Sequence, residues 1–148
     1  IGELSSKNLP FMVEEYIFGK EASAAVIENF RDEELYSLPP VEIVKASPYF
    51  SYEEKYGNAE RETVTPARFS REEREMLKEL AQEAHQALGL RHYSQSDFII
   101  SLKGIYILET NALPGLTESS LMPEALAAIG SSLPEFLEHL ITLVREKK

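Results

Sequence analysis

Residues 96–115 read Ser-Asp-Phe-Ile-Ile-Ser-Leu-Lys-Gly-Ile-Tyr-Ile-Leu-Glu-Thr-Asn-Ala-Leu-Pro-Gly, and they carry the clearest structural pattern of the chain. Its two apolar runs, 96–101 and 105–110, are separated by a short turn segment, a pattern typical of a β-hairpin. Hard oxygen ligands accompany both runs: Asp97 on the first, Glu109 and Asn111 on the second. Proteins hold Mg²⁺ against phosphates with grouped oxygens of this kind. The stretch therefore predicts a nucleotide-using enzyme, although strand-end acids also cap strands or pair with lysine.

The length of the hairpin turn decides whether these ligands share one face of the sheet. Side chains alternate between the two faces of a strand, so a two-residue turn would point Glu109 away from Asp97. A three-residue turn over 102–104, with Gly104 left-handed, pairs Asp97 with Glu109 and brings Asn111 to the same face. We predict the three-residue turn, because glycine stands where that turn needs it.

Composition bounds the class of protein. The chain has 148 residues, of which 43% are hydrophobic, which suits one domain with its own core. Its net charge of -10 argues against general binding to nucleic acid or to an anionic membrane. The absence of cysteine excludes disulfides and thiolate chemistry and agrees with a cytoplasmic location. No apolar run approaches the roughly 20 residues of a membrane span, and no signal segment opens the chain.

The remaining pattern mixes strands with helices. Apolar runs at 11–17 and 22–30 predict a first hairpin, and 41–45 predicts a short strand. Residues 70–89 begin with a capping box and end at a glycine, as an amphipathic helix does. The tail, from 123 to about 147, predicts two helices. We therefore predict an α+β fold, with a long loop over residues 47–68.

Three further segments carry candidate binding residues. Residues 13–21 place backbone groups and acids where an adenine edge and ribose hydroxyls could bind, although an ordinary hairpin would look similar. Residues 52–56 offer a lysine and two tyrosines in the long loop, which could close over a substrate or remain a solvated charged loop. Residues 114–121 lead into a helix, where backbone N–H groups and hydroxyls bind a carboxylate or an oxyanion. Pro-Gly is also a common turn.

Taken in order, these four segments resemble the D-alanine–D-alanine ligase family of ATP-grasp enzymes. The resemblance extends from Val13 to about Leu143 and rests on the segments 14–21, 52–56, 96–98 and 108–121. It implies the C-terminal part of an ATP-grasp fold, an α+β antiparallel sheet with flanking helices. Residues 1–148 would hold the end of the central subdomain and the C-terminal subdomain. The family's N-terminal domain has no counterpart here, so we expect an incomplete portion that is inactive alone.

The resemblance also implies an activity. Family members join two D-alanines with ATP, forming ADP, through an acyl phosphate that the second amine attacks. The reaction serves peptidoglycan synthesis, and with it cell-wall biogenesis and cell shape. Implied cofactors are ATP and two Mg²⁺ ions, or Mn²⁺. Implied partners are D-alanine, ATP and the rest of the ligase chain, with a homodimer as a further possibility and neither nucleic acid nor membrane. The alternatives are another ATP-grasp dipeptide or depsipeptide ligase and a non-catalytic nucleotide-binding protein.

Individual roles follow from the same resemblance. ATP would be bound by residues of the first segment and by one residue of the second hairpin strand: Glu14, Glu15, Ile17, Glu21 and Leu108. The metal ions would be held by Asp97, Glu109 and Asn111. The carboxylate of the second D-alanine would lie against Lys55, Ser120 and the amide of Leu121. Gly115 would offer its N–H to the tetrahedral intermediate, and Tyr56 would help close the loop.

One position departs from the family pattern. The family has an arginine two residues before the metal aspartate, where it stabilises the oxyanion, and this chain has Gln95. Glutamine donates a hydrogen bond without charge, and a charge-assisted donor is the stronger one. We therefore predict a lower kcat than in relatives that carry the arginine.

Overall fold

The computed structural model describes residues 12–44 and 62–146. In chain order the strands and helices are β1 (Lys20–Phe30), β2 (Glu33–Ser37), β3 (Val41–Val44), β4 (Glu62–Val64), α1 (Arg71–Ala87), β5 (Tyr93–Ser101), β6 (Gly104–Asn111), α2 (Leu121–Ala128) and α3 (Leu133–Glu146).

The strands form one antiparallel sheet with β1 at its centre. The order is β4-β3-β1-β5-β6, and β2 pairs with the remaining part of β1. β5 follows β1 from Lys20↔Ile100 to Ile27↔Tyr93. β3 occupies the other edge of β1 at its start, and β2 occupies that edge at its end. An antiparallel sheet with flanking helices confirms the α+β prediction.

Alternate residues of β1 supply the cores on the two faces of the sheet. Ala22, Ala24 and Val26 pack with Leu77 of α1 and Phe98 of β5. The intervening residues face the other way, into a second cluster with α2 and α3 that contains Ala25, Ile27, Met122, Leu126 and Phe136. The helices therefore cover both faces, and the α2–α3 side is the one on which odd-numbered residues of β1 and β5 lie.

Capping boxes begin two of the helices. At α1, Ser70 Oγ accepts from the Glu73 N–H at 3.1 Å, and Glu73 Oε2 accepts from the Ser70 N–H at 2.7 Å, as the sequence predicts. At α3, the Ser132 N–H donates to Glu135 Oε2 at 2.8 Å. This backbone bond and the Ser131 hydroxyl hold the pKa of Glu135 below its usual range. Local sequence thus fixes where these helices begin.

Two of the sequence-based expectations for the first half of the chain are wrong. Residues 12–18 form no strand, so the first hairpin is absent, and β1 pairs with β2 across the turn Arg31–Asp32. The predicted loop over 47–68 contains β4, which pairs with β3. The strand predicted at 41–45 is confirmed as β3, and its last residue lies outside the described part of the chain.

Candidate functional site

The β5–β6 hairpin pairs Asp97 with Glu109, as predicted, but by a different route. Its turn has two residues, because Ser101 pairs with Gly104, and the predicted three-residue turn is wrong. Gly104 opens β6 with a φ of +136°. Ser101 pairs with Gly104 and Phe98 with Ile107. If this register continued, Leu108 would lie opposite Asp97. A β-bulge between Asp97 and Phe98 accommodates Leu108 as an extra residue, so that Glu109 takes that place.

The bulge puts the predicted ligands on one face of the sheet. Asp97 pairs with Glu109, and Gln95 pairs with Asn111, so all four side chains point to the α2–α3 side. Ser23 of β1 pairs with Asp97 from the other edge, and its Oγ donates to Asp97 Oδ1 at 2.8 Å. We call these five residues the ligand face.

Hydrogen bonds orient both carboxylates of the ligand face. Gln95, which is buried, donates from Nε2 to Asp97 Oδ1 at 3.2 Å. Asn111 donates from Nδ2 to Glu109 Oε1 at 3.1 Å. Among the residues that the structure describes, no hydrogen bond reaches Asp97 Oδ2.

This donor set fits a divalent magnesium-like ion. Two carboxylates lie opposite each other on neighbouring strands, where Cβ atoms are about 5 Å apart, and an amide oxygen lies next to them. In the described ranges no group of three or more His, Cys, Asp or Glu side chains could form a metal site of its own. Mg²⁺ is commonly bound by one or two carboxylates, with waters and substrate phosphates completing its shell. The ligand face matches that arrangement.

A cleft of about 860 Å³ opens on the sheet where the chain enters β1. Its lining includes all five residues predicted to bind ATP: Glu14, Glu15, Ile17, Glu21 and Leu108. Leu108 reaches it as the extra residue of the bulge, with 54% of its surface exposed. The volume suits a ligand of drug or nucleotide size.

Several residues that line the cleft were missed by the sequence analysis. Ile43 and Ile99 both pair with Glu21 across β1 and supply an apolar surface. Among the described residues of the lining, Lys20 and Arg68 are basic, and Arg68 Nε lies 3.2 Å from Glu42 Oε2. The alternation of β5 could have found Ile99, because it lies two residues after Asp97. Nothing in the local pattern pointed to Arg68.

The cleft and the ligand face are neighbours. Glu21 and Ile99 line the cleft, and Ser23 and Asp97 lie two residues further along the same strands on the same face. Two residues along a strand span about 7 Å. A ligand in the cleft would therefore extend its far end toward Asp97.

The loop before α2 brings two further predicted residues together. A Cβ placed on Gly115 would lie 2.9 Å from Ser120 Oγ, so a larger residue would press on Ser120. Ser120 is the N-cap of α2, and Leu121 is its first residue. The N–H groups of a helix's first turn lack intrahelical partners and bind anions well. Thr117 closes the loop, because its N–H donates to Ser120 Oγ at 3.2 Å.

The start of α2 adjoins the ligand face. Leu121 is buried in the same apolar cluster as Ala25. Ala25 is the β1 partner of Gln95, which lies next to Asp97 on the sheet. Along one face of the sheet the order is therefore the cleft, the paired carboxylates and the first turn of α2.

Two predicted residues, Lys55 and Tyr56, lie outside the described residues.

Within the described ranges, the structure contains no helix that is both long enough and apolar enough to cross a membrane.

Comparison with known proteins adds a family match. Residues 1–142 match the family model described as D-ala D-ala ligase C-terminus. The chain is 44% identical over 139 residues to a D-alanine–D-alanine ligase of Desulfotalea psychrophila, covering 92% of this chain and 42% of that protein. It is 41% identical over 136 residues to one from Desulforudis audaxviator, covering 92% and 44%. The chain thus spans less than half the length of these relatives.

Solved structures agree on the fold. A D-alanyl-alanine synthetase A from Vibrio cholerae superposes with a TM-score of 0.73 at 31% identity, covering 87% of this chain and 39% of that one. A VanG D-Ala:D-Ser ligase from Enterococcus faecalis gives 0.72 at 33% identity, covering 87% and 37%. These matches confirm the predicted C-terminal part of an ATP-grasp fold.

Proposed function

The chain belongs to the D-ala D-ala ligase C-terminus family, and we propose that it supplies the nucleotide, metal and acceptor sites of an ATP-dependent ligase that joins two D-alanines. The observation that carries this proposal is the order along one sheet face: a cleft, then paired carboxylates, then a helix N-terminus. A ligase that activates a carboxylate with ATP needs its binding sites in the same spatial order: first the nucleotide, then the transferred phosphate, then the attacking amino acid.

In this proposal the cleft holds the adenosine part of ATP. Ile43, Ile99 and Leu108 provide apolar surface for the base, backbone groups near Ile17 bind its edge, and Glu21 accepts from ribose hydroxyls. Glu14 and Glu15 line the same cleft. Arg68 offsets the charge of Glu42, which also lines the cleft, and Lys20 adds a second positive charge to the lining.

Asp97, Glu109 and Asn111 would hold the Mg²⁺ ions. Bound there, the ions would neutralise charge on the phosphates during transfer. Ser23 and Gln95 hold the Asp97 carboxylate by donating to Oδ1, which leaves Oδ2 to face a ligand. Gln95 lies where the family resemblance places an oxyanion-stabilising arginine.

The acceptor D-alanine would bind at the start of α2. Ser120 and the Leu121 amide are suited to its carboxylate, together with Lys55. The Gly115 N–H is suited to the oxyanion of the tetrahedral intermediate, which forms when the acceptor amine attacks the acyl phosphate and which then releases phosphate. Tyr56 would help to exclude water.

The ligase as a whole would work in the cytoplasm, in peptidoglycan synthesis. Residues 1–148 would form the end of the central subdomain and the C-terminal subdomain, with the remaining sites supplied by an N-terminal domain. The relatives' greater length supports this division, because the chain covers 42% and 44% of two of them. A homodimer would form largely through that N-terminal domain.

A second candidate is a ligase with a different acceptor. The match to a D-Ala:D-Ser ligase, at a TM-score of 0.72 and 33% identity, favours D-serine as the alternative substrate. The described residues of the acceptor loop would serve either amino acid, since both present the same backbone.

The test measures ATP binding and phosphate release on the full-length ligase. We expect calorimetry to give tight ATP binding only with Mg²⁺, and phosphate release to require D-alanine. Asp97→Asn should weaken the Mg²⁺ dependence and abolish release, whereas Ser96→Ala, on the opposite face and bonded to Thr110, should leave both unchanged.

Each other outcome has a defined meaning. Release with D-serine in preference to D-alanine would establish the second candidate. ATP binding without release for any D-amino acid would indicate a non-catalytic nucleotide-binding protein, and absence of ATP binding would overturn the proposal.

A further inference from the structure

Glu124 links α2, whose first turn is the proposed acceptor site, to β4 at the edge of the sheet. Its carboxylate accepts from Thr63 Oγ1 through Oε2 at 2.6 Å and from Thr65 Oγ1 through Oε1 at 2.5 Å. Thr63 lies in β4, and Thr65 follows that strand. Both oxygens of one partly buried carboxylate are therefore used to hold one short segment against α2.

At its helical end, this link adjoins the proposed acceptor site. The Glu124 N–H donates to the Ser120 carbonyl at 3.4 Å, so Glu124 lies one turn after the N-cap. A carboxylate in the first turn also interacts favourably with the helix dipole. The Ser120 hydroxyl and the Leu121 amide are thus carried on the turn that Glu124 attaches to β4.

At its strand end, this link adjoins the wall of the proposed nucleotide cleft. Thr63 pairs with Ile43 of β3, and Ile43 lines the cleft together with Val44. A path of direct contacts therefore runs from the cleft wall through Ile43, Thr63 and Glu124 to Ser120. Hydrogen bonds to a carboxylate are stronger and shorter than neutral ones, so this path resists displacement.

We propose that Glu124 is a positioning residue that sets the acceptor amino acid at its distance from the nucleotide. The inference rests on the proposed function, because it assigns the acceptor carboxylate to Ser120 and Leu121. Glu124 itself would touch neither substrate. Its removal would leave the cleft and the ligand face intact and let the first turn of α2 shift relative to β3. Displacements of about 1 Å can cost up to a hundredfold in rate.

Steady-state kinetics of the full-length ligase test this role. In Glu124→Ala we expect the KM for the acceptor D-alanine to rise about tenfold or more and kcat to fall, with the Kd for ATP and Mg²⁺ within twofold of wild type. Glu124→Asp, which keeps the carboxylate, should recover part of the loss. Glu138→Ala removes an exposed acid from α3 and should leave every constant unchanged.

A double-mutant cycle separates positioning from simple stabilisation. If the threonine bonds transmit the effect, Thr63→Val and Thr65→Val together should reproduce the KM rise, and adding Glu124→Ala should change it little further. Additive effects would overturn the inference, as would an unchanged acceptor KM in Glu124→Ala with only a lower melting temperature. Wild-type enzyme without turnover would overturn the proposed function first, and this inference with it.

Discussion

At the scale of single residues, the Asp97 carboxylate is held by two neutral donors. Ser23 and Gln95 both donate to Oδ1, and Gln95 is 9% exposed. An arginine at this position, as in the family pattern, would add a fixed positive charge beside the transferring phosphate. The ligand face of this chain therefore carries the proposed metal ligands while lacking that charge.

Replacing Gln95 tests the value of the missing charge. In Gln95→Arg we expect kcat for phosphate release to rise about tenfold or more, because a charge-assisted donor stabilises a developing oxyanion better than an amide does. The measurement is D-alanine-dependent phosphate release by the full-length ligase. Gln95→Met, similar in size but without a donor, should lower kcat. An unchanged or lower kcat in Gln95→Arg would contradict the prediction.

At the scale of the elements, the pattern of the sequence predicted what is local. The capping box at Ser70, the strand pair β5–β6 and the break between α2 and α3 all follow from nearby residues. The pairing of Asp97 with Glu109 was predicted as well. The first three features depend on spacing and alternation within a few residues, whereas the pairing of Asp97 with Glu109 arises through the bulge and not through the predicted turn.

Features set by tertiary packing could not be predicted in that way. The two-residue turn puts Phe98, Ile100 and Ile105 together in the apolar cluster on the α1 side, and in this register Leu108 is the extra residue of the bulge. The β1–β2 hairpin turns at Arg31 and Asp32 with φ of 51° and 65°; such values are uncommon outside glycine, although aspartate adopts them more often than arginine does. Neither the turn nor the bulge carries the glycine signal that marks most such positions.

Deleting Leu108 tests what the bulge contributes. The deletion removes the extra residue, so Asp97 should still pair with Glu109, while the cleft loses an apolar side chain. We expect ATP affinity to fall roughly tenfold with its Mg²⁺ dependence retained. Calorimetric titration of ATP at several Mg²⁺ concentrations gives both quantities.

Two further variants bracket that result. Leu108→Ala should match the deletion, because both remove the side chain. Deleting Thr110 instead moves Asn111 to the opposite face and should weaken Mg²⁺ dependence. Loss of Mg²⁺ dependence in the Leu108 deletion would show that the bulge itself is needed for the ligand face.

At the scale of the molecule, the sheet has the ligand face on one side and the core under α1 on the other. The cluster on the α1 side contains none of the ligand-face residues, which all lie on the α2–α3 side. Both clusters nevertheless share β1, whose alternate residues belong to one or the other. Changes in the α1-side core should therefore lower stability without altering the site.

Leu77→Ala tests this separation. Leu77 is fully buried, so we expect the free energy of unfolding to fall by about 2–5 kcal/mol. ATP and Mg²⁺ affinities measured well below the melting temperature should stay unchanged. Urea denaturation gives the first quantity, and Met76→Ala, half exposed on the same helix, is the control. A large loss of ATP affinity in Leu77→Ala would show that the two faces are coupled.

The closed loop from Gly115 to Ser120 would limit which acceptors the proposed ligase can use. The Ser120 N–H donates to the Thr117 carbonyl, and Ser120 Oγ contacts the Thr117 N–H and hydroxyl, so the loop is held by its own hydrogen bonds and little free energy of ordering would be lost on binding. The contact between Gly115 and Ser120 also fixes the spacing between the proposed oxyanion donor and the proposed carboxylate anchor. In the proposed site, this spacing would select acceptors by the length of their backbone. We expect the site to bind a β-amino acid, which is one methylene longer, much more weakly, and to bind D-alanine and D-serine with similar affinity.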